Sequence, residues 1–451
     1  MKKIPKIISL FLIAGVITAC NEAQKEALEE MPGVLSLDLS DAAFVFNGND
    51  CTGVQKAEDG GYINADGVNP ANFLFHKTTS EGVTSRVHFK TDRSDDDKYF
   101  KDNNMLATLV DISDDYFYAD LDLLSRNNEY FINKKTGEAL KFPREYRIKD
   151  LDWVHTLTAR NYFPQDGAGN VYGVAYCYEG QTDAIVKFTV AEKEVKCEKI
   201  ADVSVNRPNL FAVDNDGNVA FYDGKDDCYF RTVDKELVKQ DFFGKLFWTG
   251  YDGNIYFSDS SKVNKVTYDK VQKEVHLTAT RTFEELTLTG LYYDRLLFLD
   301  DLKQIYTYKD GENRAIVLYQ LYGETAIEEP IVISADDIGN PNSSSSGYSL
   351  FSSDDSIAFV HATRAVSVID VKNNMAISKY SLPAVYNEGM RMLRDNKMAF
   401  FYLNPRSAPY NSSDESDYMR VGVYDLKTGT LSEPDTFRTG NAMRSDVINI
   451  K

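Results

Sequence analysis

The sequence predicts an all-β fold, a β-propeller built from four-stranded antiparallel blades, and three observations carry this prediction. Helical periodicity is hard to find after Pro32, while Tyr (28 residues) and Phe (26 residues), which half-buried strands prefer, are abundant. Residues 210–228 and 247–277 repeat one pattern, in which a strand, an Asp-Gly-Asn turn and further strands follow each other. Segments such as Leu296–Leu299 are continuously apolar, as strands covered on both faces require. A β-sandwich for part of the chain is the alternative.

The repeat extends on both sides of these two copies. Asn218 follows Asn170 by 48 residues and precedes Asn254 by 36 residues, and propeller blades take about 40 to 50 residues. Strand-rich units are predicted at 72–90, 106–142, 166–200, 210–228, 247–277, 287–321, 348–382 and 390–431. Seven units have good signals and the one at 72–90 is weak, so seven blades are preferred and eight are possible. The earlier strand at Ala43–Asn47 is expected to pair with the last blade and close the ring.

Two turns carry a resemblance to a known class of propellers. Asn133–Gly137 and Asp425–Gly429 are Asp-x-x-Thr-Gly-like turns that resemble those of quinoprotein-like or NHL-like repeats. The tryptophan that quinoprotein repeats carry is missing, since the chain has only Trp153 and Trp248. The resemblance therefore supports a propeller without indicating a ligand.

The first twenty residues give an expected cellular address. Lys2, Lys3 and Lys6 precede the apolar run Ile7–Val16, and Ile17-Thr18-Ala19-Cys20 closes the segment. This arrangement resembles a bacterial lipoprotein signal peptide at residues 1–19, with Cys20 as the lipidation site that carries palmitate and other acyl chains. A transmembrane helix is the alternative, but the run is shorter than the roughly 20 residues needed to span a bilayer. The prediction is an outer-membrane lipoprotein on the cell surface or the periplasmic face, with the membrane as partner through Cys20.

Residues 20–40 are predicted to form a lipidated acidic tether, and residues 41–451 a single propeller domain. The acidic residues behind Cys20 resemble the surface-export signals of some Gram-negative lipoproteins, although a plain linker fits equally well. Removal of residues 1–19 takes the net charge from -19 to -22, because three lysines and no acids are lost. Phosphates repel so acidic a protein, so no nucleic-acid partner is expected.

The acidic turns contain weak candidates for a metal site. Asp214 and Asp216 have the opening spacing of a calcium loop, and Asp252 stands at the related position of the next unit. The later bidentate Glu of such loops is missing, so plain hairpin turns are the preferred interpretation and no metal is predicted. No cofactor is predicted either. The five histidines lie in different units, and no nucleophile elbow, phosphate loop or zinc-protease helix occurs, so no catalytic residues are predicted.

Four cysteines follow the lipidation site, at Cys51, Cys177, Cys197 and Cys228. Cys177 is predicted on the second strand of its blade and Cys197 on the fourth. Strands two apart are about 9 to 10 Å apart, which is beyond disulfide reach. Buried thiols are therefore expected, and the state of Cys51 stays open.

Two segments, residues 339–347 and 404–417, are rich in Ser and Pro. They are expected to be exposed, either as binding loops on one rim of the ring or as tolerated insertions.

Three functions fit these observations. The first is a membrane-anchored, non-catalytic envelope lipoprotein whose propeller binds a glycan, a peptide or an envelope protein. The second is a glycan-processing lyase or glycosidase, which needs side chains from different blades to converge. The third is an outer-membrane assembly factor, because the anchor and propeller resemble the propeller lipoprotein of the barrel assembly machinery. The ligand-binding residues are unknown at this stage.

Overall fold

A computed structural model describes most of the predicted repeat. The described residues are 34–49, 55–56, 62–63, 73–87, 89–90, 105–123, 126–143, 146–148, 163–177, 183–191, 194–203, 211–223, 227–240, 246–249, 253–258, 262–282, 297–299, 303–310, 313–320, 331–334, 349–353, 356–361, 365–370, 376–381, 391–392, 397–402, 419–432, 438–439 and 447–450. Cys20, Cys51, Asp252, the predicted signal peptide and the insertions at 339–347 and 404–417 lie outside these residues. Within them, no helix is long and apolar enough to cross a membrane.

All regular structure in the described part is β-strand, which confirms the predicted fold class. The strands are β1 (Val34–Leu37), β2 (Ala42–Asn49), β3 (Gln55–Lys56), β4 (Tyr62–Ile63), β5 (Phe73–Thr79), β6 (Thr84–Arg86), β7 (Phe89–Lys90), β8 (Met105–Asp111), β9 (Tyr116–Leu123), β10 (Arg126–Asn133), β11 (Glu138–Lys141), β12 (Tyr146–Ile148), β13 (Val171–Cys177), β14 (Asp183–Ala191), β15 (Glu194–Val203), β16 (Phe211–Val213), β17 (Val219–Tyr222), β18 (Cys228–Arg231), β19 (Leu237–Gln240), β20 (Leu246–Thr249), β21 (Ile255–Ser258), β22 (Lys262–Asp269), β23 (Glu274–Thr282), β24 (Leu297–Leu299), β25 (Lys303–Asp310), β26 (Asn313–Gln320), β27 (Ile331–Ser334), β28 (Ser349–Ser353), β29 (Ser356–His361), β30 (Ala365–Asp370), β31 (Ala376–Ser381), β32 (Arg391–Met392), β33 (Lys397–Tyr402), β34 (Met419–Asp425), β35 (Thr430–Ser432), β36 (Arg438–Thr439) and β37 (Ile448–Asn449).

Eight sheets of the described part contain a four-stranded antiparallel unit, which we call a blade. In strand order, blade 1 is β37-β2-β5-β6, blade 2 is β8-β9-β10-β11, blade 3 is β12 to β15, blade 4 is β16 to β19, blade 5 is β20 to β23, blade 6 is β24 to β27, blade 7 is β28 to β31 and blade 8 is β32 to β35. The weak unit at residues 72–90 contributes to blade 1. The described residues thus contain eight four-stranded units.

Blade 1 joins the two ends of the chain. The C-terminal strand β37 pairs with β2 through Ile448 and Val45, so the end of the chain supplies the first strand of the first blade. Phe44 and Phe46 of β2 pack with Val421 and other residues of blade 8 in one buried cluster. The predicted closure at this strand is present, but its pairing partner is the C-terminal strand and not blade 8.

The cores lie between neighbouring blades. One buried cluster is shared by blades 1 and 2, a second by blades 2 and 3, and a third by blades 3, 4 and 5. All four residues of β17, Val219–Tyr222, are buried, because a neighbouring blade covers each face of the sheet. Stacked sheets with cores between them, together with the union of the chain ends in blade 1, define a propeller.

The outer edge of blade 2 carries two additional strands. Strand β1 pairs antiparallel with β11, and β7 pairs with the far side of β1. Leu37 of β1 is buried in the core between blades 1 and 2. Val34–Leu37 therefore belongs to the fold, whereas the sequence analysis placed it in the tether of residues 20–40. The burial of Leu37 is the physical reason, because this apolar side chain enters a core that the tether assignment did not provide.

Candidate binding surface

In a four-stranded antiparallel blade, the turn after the first strand and the turn after the third strand lie at the same end of the sheet. We call this end the turn face. On it, the first turns of blades 3, 4 and 5 are hydrogen-bonded in series. The N–H of Gly167 donates to the carbonyl of Asn215 at 2.9 Å, and the N–H of Asn215 donates to the carbonyl of Gly253 at 2.8 Å. The repeated Asp-Gly-Asn pattern therefore builds a continuous ladder across three blades.

The candidate metal ligands are used within this ladder. Asp214 Oδ1 accepts the N–H of Asn218 at 2.8 Å, and its Oδ2 accepts the Asn218 side-chain amide at 2.8 Å. Burial raises the pKa of the Asp214 carboxyl in spite of these hydrogen bonds. Asp216 forms an ion pair with Lys270 of blade 5 at 3.2 Å. No group of three or more His, Cys, Asp or Glu within the described ranges could hold a metal ion. The hairpin interpretation of Asp214 and Asp216 therefore accounts for their contacts.

In blades 3 and 4, the asparagine of the first turn links that turn to the third strand or to the turn that follows the third strand. Asn170 Oδ1 accepts the hydroxyl of Thr189 at 2.7 Å, and Asn218 Oδ1 accepts the N–H of Val233 at 3.0 Å. Beside Asn170, the hydroxyl of Tyr172 donates to Asp166 Oδ2 at 3.0 Å. Burial, with the Asp166 carboxylate next to it, raises the pKa of this hydroxyl. The polar side chains of these turns thus stabilise the blades through hydrogen bonds within the chain.

Ion pairs join the turn faces of neighbouring blades. Lys235 of blade 4 pairs with Glu198 of blade 3 at 3.4 Å. Lys273 of blade 5 pairs with Glu236 of blade 4, which also accepts the hydroxyl of Tyr268 at 3.1 Å. The hydrogen bond from Lys273 holds the pKa of the Glu236 carboxyl below its usual value. These charged groups are exposed to solvent and contribute little to stability, but they are already paired with each other.

Exposed aliphatic side chains stand beside these ion pairs. The exposed fractions are 49% for Val233, 57% for Leu237, 92% for Val271 and 39% for Leu277. All four lie on the turn between the third and fourth strands, or on the fourth strand, of blades 4 and 5. Isolated exposed aliphatics are normal, but four of the five large exposed apolar side chains in the described part lie on these two adjacent blades. We call these four the rim residues.

The rim residues were not predicted from the sequence, although two of them stand out in their local sequence. Val233 and Val271 each stand in a short charged turn, in Thr-Val-Asp-Lys-Glu and Asp-Lys-Val-Gln-Lys, where no core is within reach. An exposed aliphatic side chain at such a turn tip buries little surface within the fold and is accessible from outside the chain.

A pair of buried carboxylates was also missed. Asp120 and Glu129 are both buried and stand directly opposite each other on β9 and β10. Glu129 Oε1 accepts the hydroxyl of Tyr118 at 2.6 Å and the N–H of Ile148 at 3.1 Å. Because Ile148 lies on the first strand of blade 3, this carboxylate ties blade 2 to blade 3. Its contacts account for it as a structural group.

The histidine and cysteines considered next all lie on strands. His76 is buried on β5, where its Nε2 donates to the carbonyl of Gly48 at 3.1 Å, and burial lowers its pKa to about 3. Cys177 lies on β13 and Cys197 on β15, with β14 between them, as predicted. Cys197 and Cys228 are thiols and not half-cystines. Burial raises the pKa of Cys228 to about 12.

The protein is therefore an all-β propeller. Polar groups of its turn face bond to one another across blades 3, 4 and 5, and exposed aliphatic residues form a rim on blades 4 and 5.

No protein-family model matches the chain, and no curated protein matches it. Three solved structures show distant likeness. Apo AztD from Citrobacter koseri has 12% identity and a TM-score of 0.41, covering 90% of this chain and 98% of that chain. Oligogalacturonate lyase from Vibrio parahaemolyticus has 10% identity and a TM-score of 0.39, covering 82% and 95%. BamB from Moraxella catarrhalis has 10% identity and a TM-score of 0.34, covering 80% and 96%. These values are too low to carry an argument about function.

Proposed function

We propose that the protein is a membrane-anchored, non-catalytic envelope lipoprotein whose propeller binds a protein partner through the rim of blades 4 and 5. The observation that carries this proposal is the exposure of the rim residues, above all Val271 at 92% and Leu237 at 57%. Clustered exposed aliphatics flanked by polar groups are typical of protein interaction sites. Sugar-binding sites instead present aromatic faces, and all four rim residues are aliphatic.

The charge of the chain limits the class of partner. With a net charge of -19, the protein repels acidic surfaces and attracts neutral or basic ones. The rim lysines Lys270 and Lys273 are paired with Asp216 and Glu236, so they do not offset this charge locally. A neutral or basic envelope protein is the expected partner.

The anchor keeps the propeller close to the membrane in this proposal. A lipidated Cys20 stands fourteen positions before Val34, the first residue of β1. At about 3.5 Å per extended residue, the blade 2 edge lies within about 50 Å of the lipid. Partners within that distance of the membrane are therefore within reach.

The test for partner binding is photocrosslinking in the native cell. A photoreactive amino acid at Val271 of the full-length protein should give one discrete adduct of higher mass after irradiation. The same residue at Ser80, an exposed position on the corresponding turn of blade 1, is the matched control and should give none. Equal yields at the two positions, or no adduct at both Val271 and Leu237, would remove the basis for a binding rim.

The test for the anchor is the substitution Cys20→Ala. The wild-type protein should incorporate labelled palmitate and stay with the membrane, whereas the variant should take up no label and appear in the soluble fraction. Protease treatment of intact cells then decides between the cell surface and the periplasmic face. Palmitate labelling that persists in Cys20→Ala would contradict the assignment of the lipidation site.

A further inference from the structure

The outermost strand of each blade leaves one row of backbone groups without a neighbouring strand, unless something covers it. Such an edge is a template for pairing with another chain, and proteins protect edges by shortening them, charging them or covering them. Blade 2 uses cover, because β1 and β7 extend its sheet beyond β11. The structure thus contains one example of an extended segment docked on a blade edge.

Most other edges are short or charged. The outer strands β6, β19, β27 and β35 have three, four, four and three residues. Strand β15 has ten residues but exposes Lys196, Glu198 and Lys199, and the six-residue β31 contains Lys379. These lengths and charges disfavour the addition of another strand.

Strand β23 of blade 5 is long and carries its charged residues, Glu274 and Arg281, only near its two ends. It has nine residues, and its central part, residues 275–280, reads Val-His-Leu-Thr-Ala-Thr without an acid, a lysine or an arginine. It is the last strand of its sheet, and no other described strand pairs with its outer side. Residues 276–278 are exposed. A long edge whose central six residues contain no acid, lysine or arginine, and which no described strand covers, is therefore present beside the rim.

We propose that the edge of β23 receives an extended, basic segment of the partner protein as a fifth strand, with an apolar side chain beside Leu277 and a cationic side chain at Glu274. This inference rests on the proposed binding function and names the chemistry of the partner.

The side-chain pattern of β23 supports an alternating apolar segment. Leu277 stands opposite the buried Val266, and Val275 stands opposite Tyr268, which stacks on Phe230 of blade 4. Leu277 therefore points toward the groove between blades 4 and 5. A residue paired beside it would enter the same groove, as Leu37 of β1 enters the core between blades 1 and 2.

The charge of the edge supports a basic segment. Glu274 is exposed at the start of β23 and forms no ion pair with any residue in the described ranges. The neighbouring Asp269 accepts the N–H groups of Val271 and Gln272 in its own turn, so Glu274 is the carboxylate available to an incoming strand. A lysine or arginine of the partner complements it and the net charge of -19.

The direct test is binding of a fluorescein-labelled peptide of the sequence Lys-Thr-Thr-Val-Thr-Thr-Lys to the full chain, followed by fluorescence anisotropy. Its valine lies three positions from either lysine, as Leu277 lies from Glu274, so one face can meet Leu277 while the other meets Glu274. The wild-type protein should bind it, and Leu277→Lys, which places a charge on the edge, should weaken binding at least tenfold. Glu274→Lys should weaken binding about threefold, as expected for an exposed charge pair, and should favour a peptide with Glu at both ends. No binding to the wild-type protein would overturn the proposal.

Backbone methylation of the peptide separates strand addition from simple apolar docking. In a paired strand, alternate N–H groups face β23, so N-methylation of one alternate set should abolish binding while methylation of the other set leaves it intact. Equal effects of the two sets would overturn strand addition.

The matched control variant is Val83→Lys, at an exposed aliphatic residue on the corresponding turn of blade 1. It lies outside the rim and should leave peptide affinity unchanged. If Leu237→Lys and not Leu277→Lys removes binding, the edge proposal is overturned while the rim remains the binding surface. Loss of the cellular adduct at Val271 would instead count against the proposed function itself.

Discussion

The outer edges of blades 2 and 5 solve the same problem in different ways. At blade 2, β1 covers β11, and the N–H of Leu37 donates to the carbonyl of Gly137 at 2.8 Å. At blade 5, β23 is longer than β11, and no described strand covers it. The covered edge uses a segment of its own chain, whereas the open edge stands among exposed aliphatics. The same blade architecture thus carries a structural edge and a candidate binding edge.

The outer edges of the blades are therefore not protected in the same way, although the blades share one architecture. A repeat makes the strands alike, but the segments outside the repeat decide which edges are covered. Blade 2 is covered because Val34–Leu37 precedes the repeat, pairs with β11 and buries Leu37. Blade 5 lies in the middle of the chain, with blade 4 before it and blade 6 after it.

The largest expected effect is acid destabilisation of blade 1, on which the covered blade 2 packs. Burial lowers the pKa of His76 from 6.5 to about 3. Between these pH values the unfolded state binds the proton and the folded state does not, so stability falls as the pH decreases through this window. The contribution of neutral His76 to the free energy of unfolding is fully present above pH 6.5, and up to about 4 kcal/mol of it is lost near pH 3. Urea unfolding between pH 7 and pH 4 measures this loss.

A matched variant isolates the histidine contribution. His76→Phe keeps a ring beside Phe46, whose ring centroid lies 5.3 Å from that of His76. This variant should be less stable at pH 7, because it lacks the hydrogen bond to Gly48, but it should lose less stability on acidification. Hydrogen exchange at pH 4 should show opening in β5 before β23. Equal pH slopes for the wild type and His76→Phe would contradict a buried neutral histidine.

The next largest effect is the loss of stability on substitution of turn glycines in blades 2 and 5, with a glycine of blade 3 as reference. Gly137 in blade 2 and Gly253 in blade 5 have φ angles of +72° and +70°, and Gly169 has +80°. A Cβ at Gly137 would lie 1.9 Å from the backbone oxygen of Leu37, whereas at Gly253 it would meet the Asn215 side chain at 2.1 Å. At Gly169 no atom lies within 4 Å. Backbone cannot move aside as a side chain can.

Alanine at these three positions should therefore give a graded loss of stability. We expect about 3 kcal/mol at Gly137, about 1.5 kcal/mol at Gly253 and about 1 kcal/mol at Gly169, where only the strained φ angle contributes. Gly137→Ala should also accelerate hydrogen exchange in Val34–Leu37, and the other two variants should not. If Gly137→Ala is no worse than Gly169→Ala, β1 does not depend on this close approach.

The sequence predicts the local part of this architecture well. Strand periodicity and turn chemistry are local, so the Asp-Gly-Asn hairpins, the unit spacing and the positions of Cys177 and Cys197 on alternate strands follow from them. The pairing of β37 with β2 and of β1 with β11 joins segments far apart in the chain, and no local pattern specifies such pairs. Glu129 was missed for the same reason, because its partner Ile148 belongs to the next blade.

The smallest effects lie at the interface between blades 4 and 5. Phe230 is buried and stacks on Tyr268 with ring centroids 5.4 Å apart, whereas the Lys273 and Glu236 side chains are exposed by 63% and 42%. Phe230→Leu should cost about 1.5 kcal/mol, because the lost area and stacking are not replaced. Glu236→Gln should leave the unfolding midpoint unchanged, since water solvates both partners before and after the change. Thermal unfolding at low and high salt separates the two effects. A salt-dependent loss in Glu236→Gln that matches the loss in Phe230→Leu would mean that charge, and not apolar contact, joins the two blades that carry the rim.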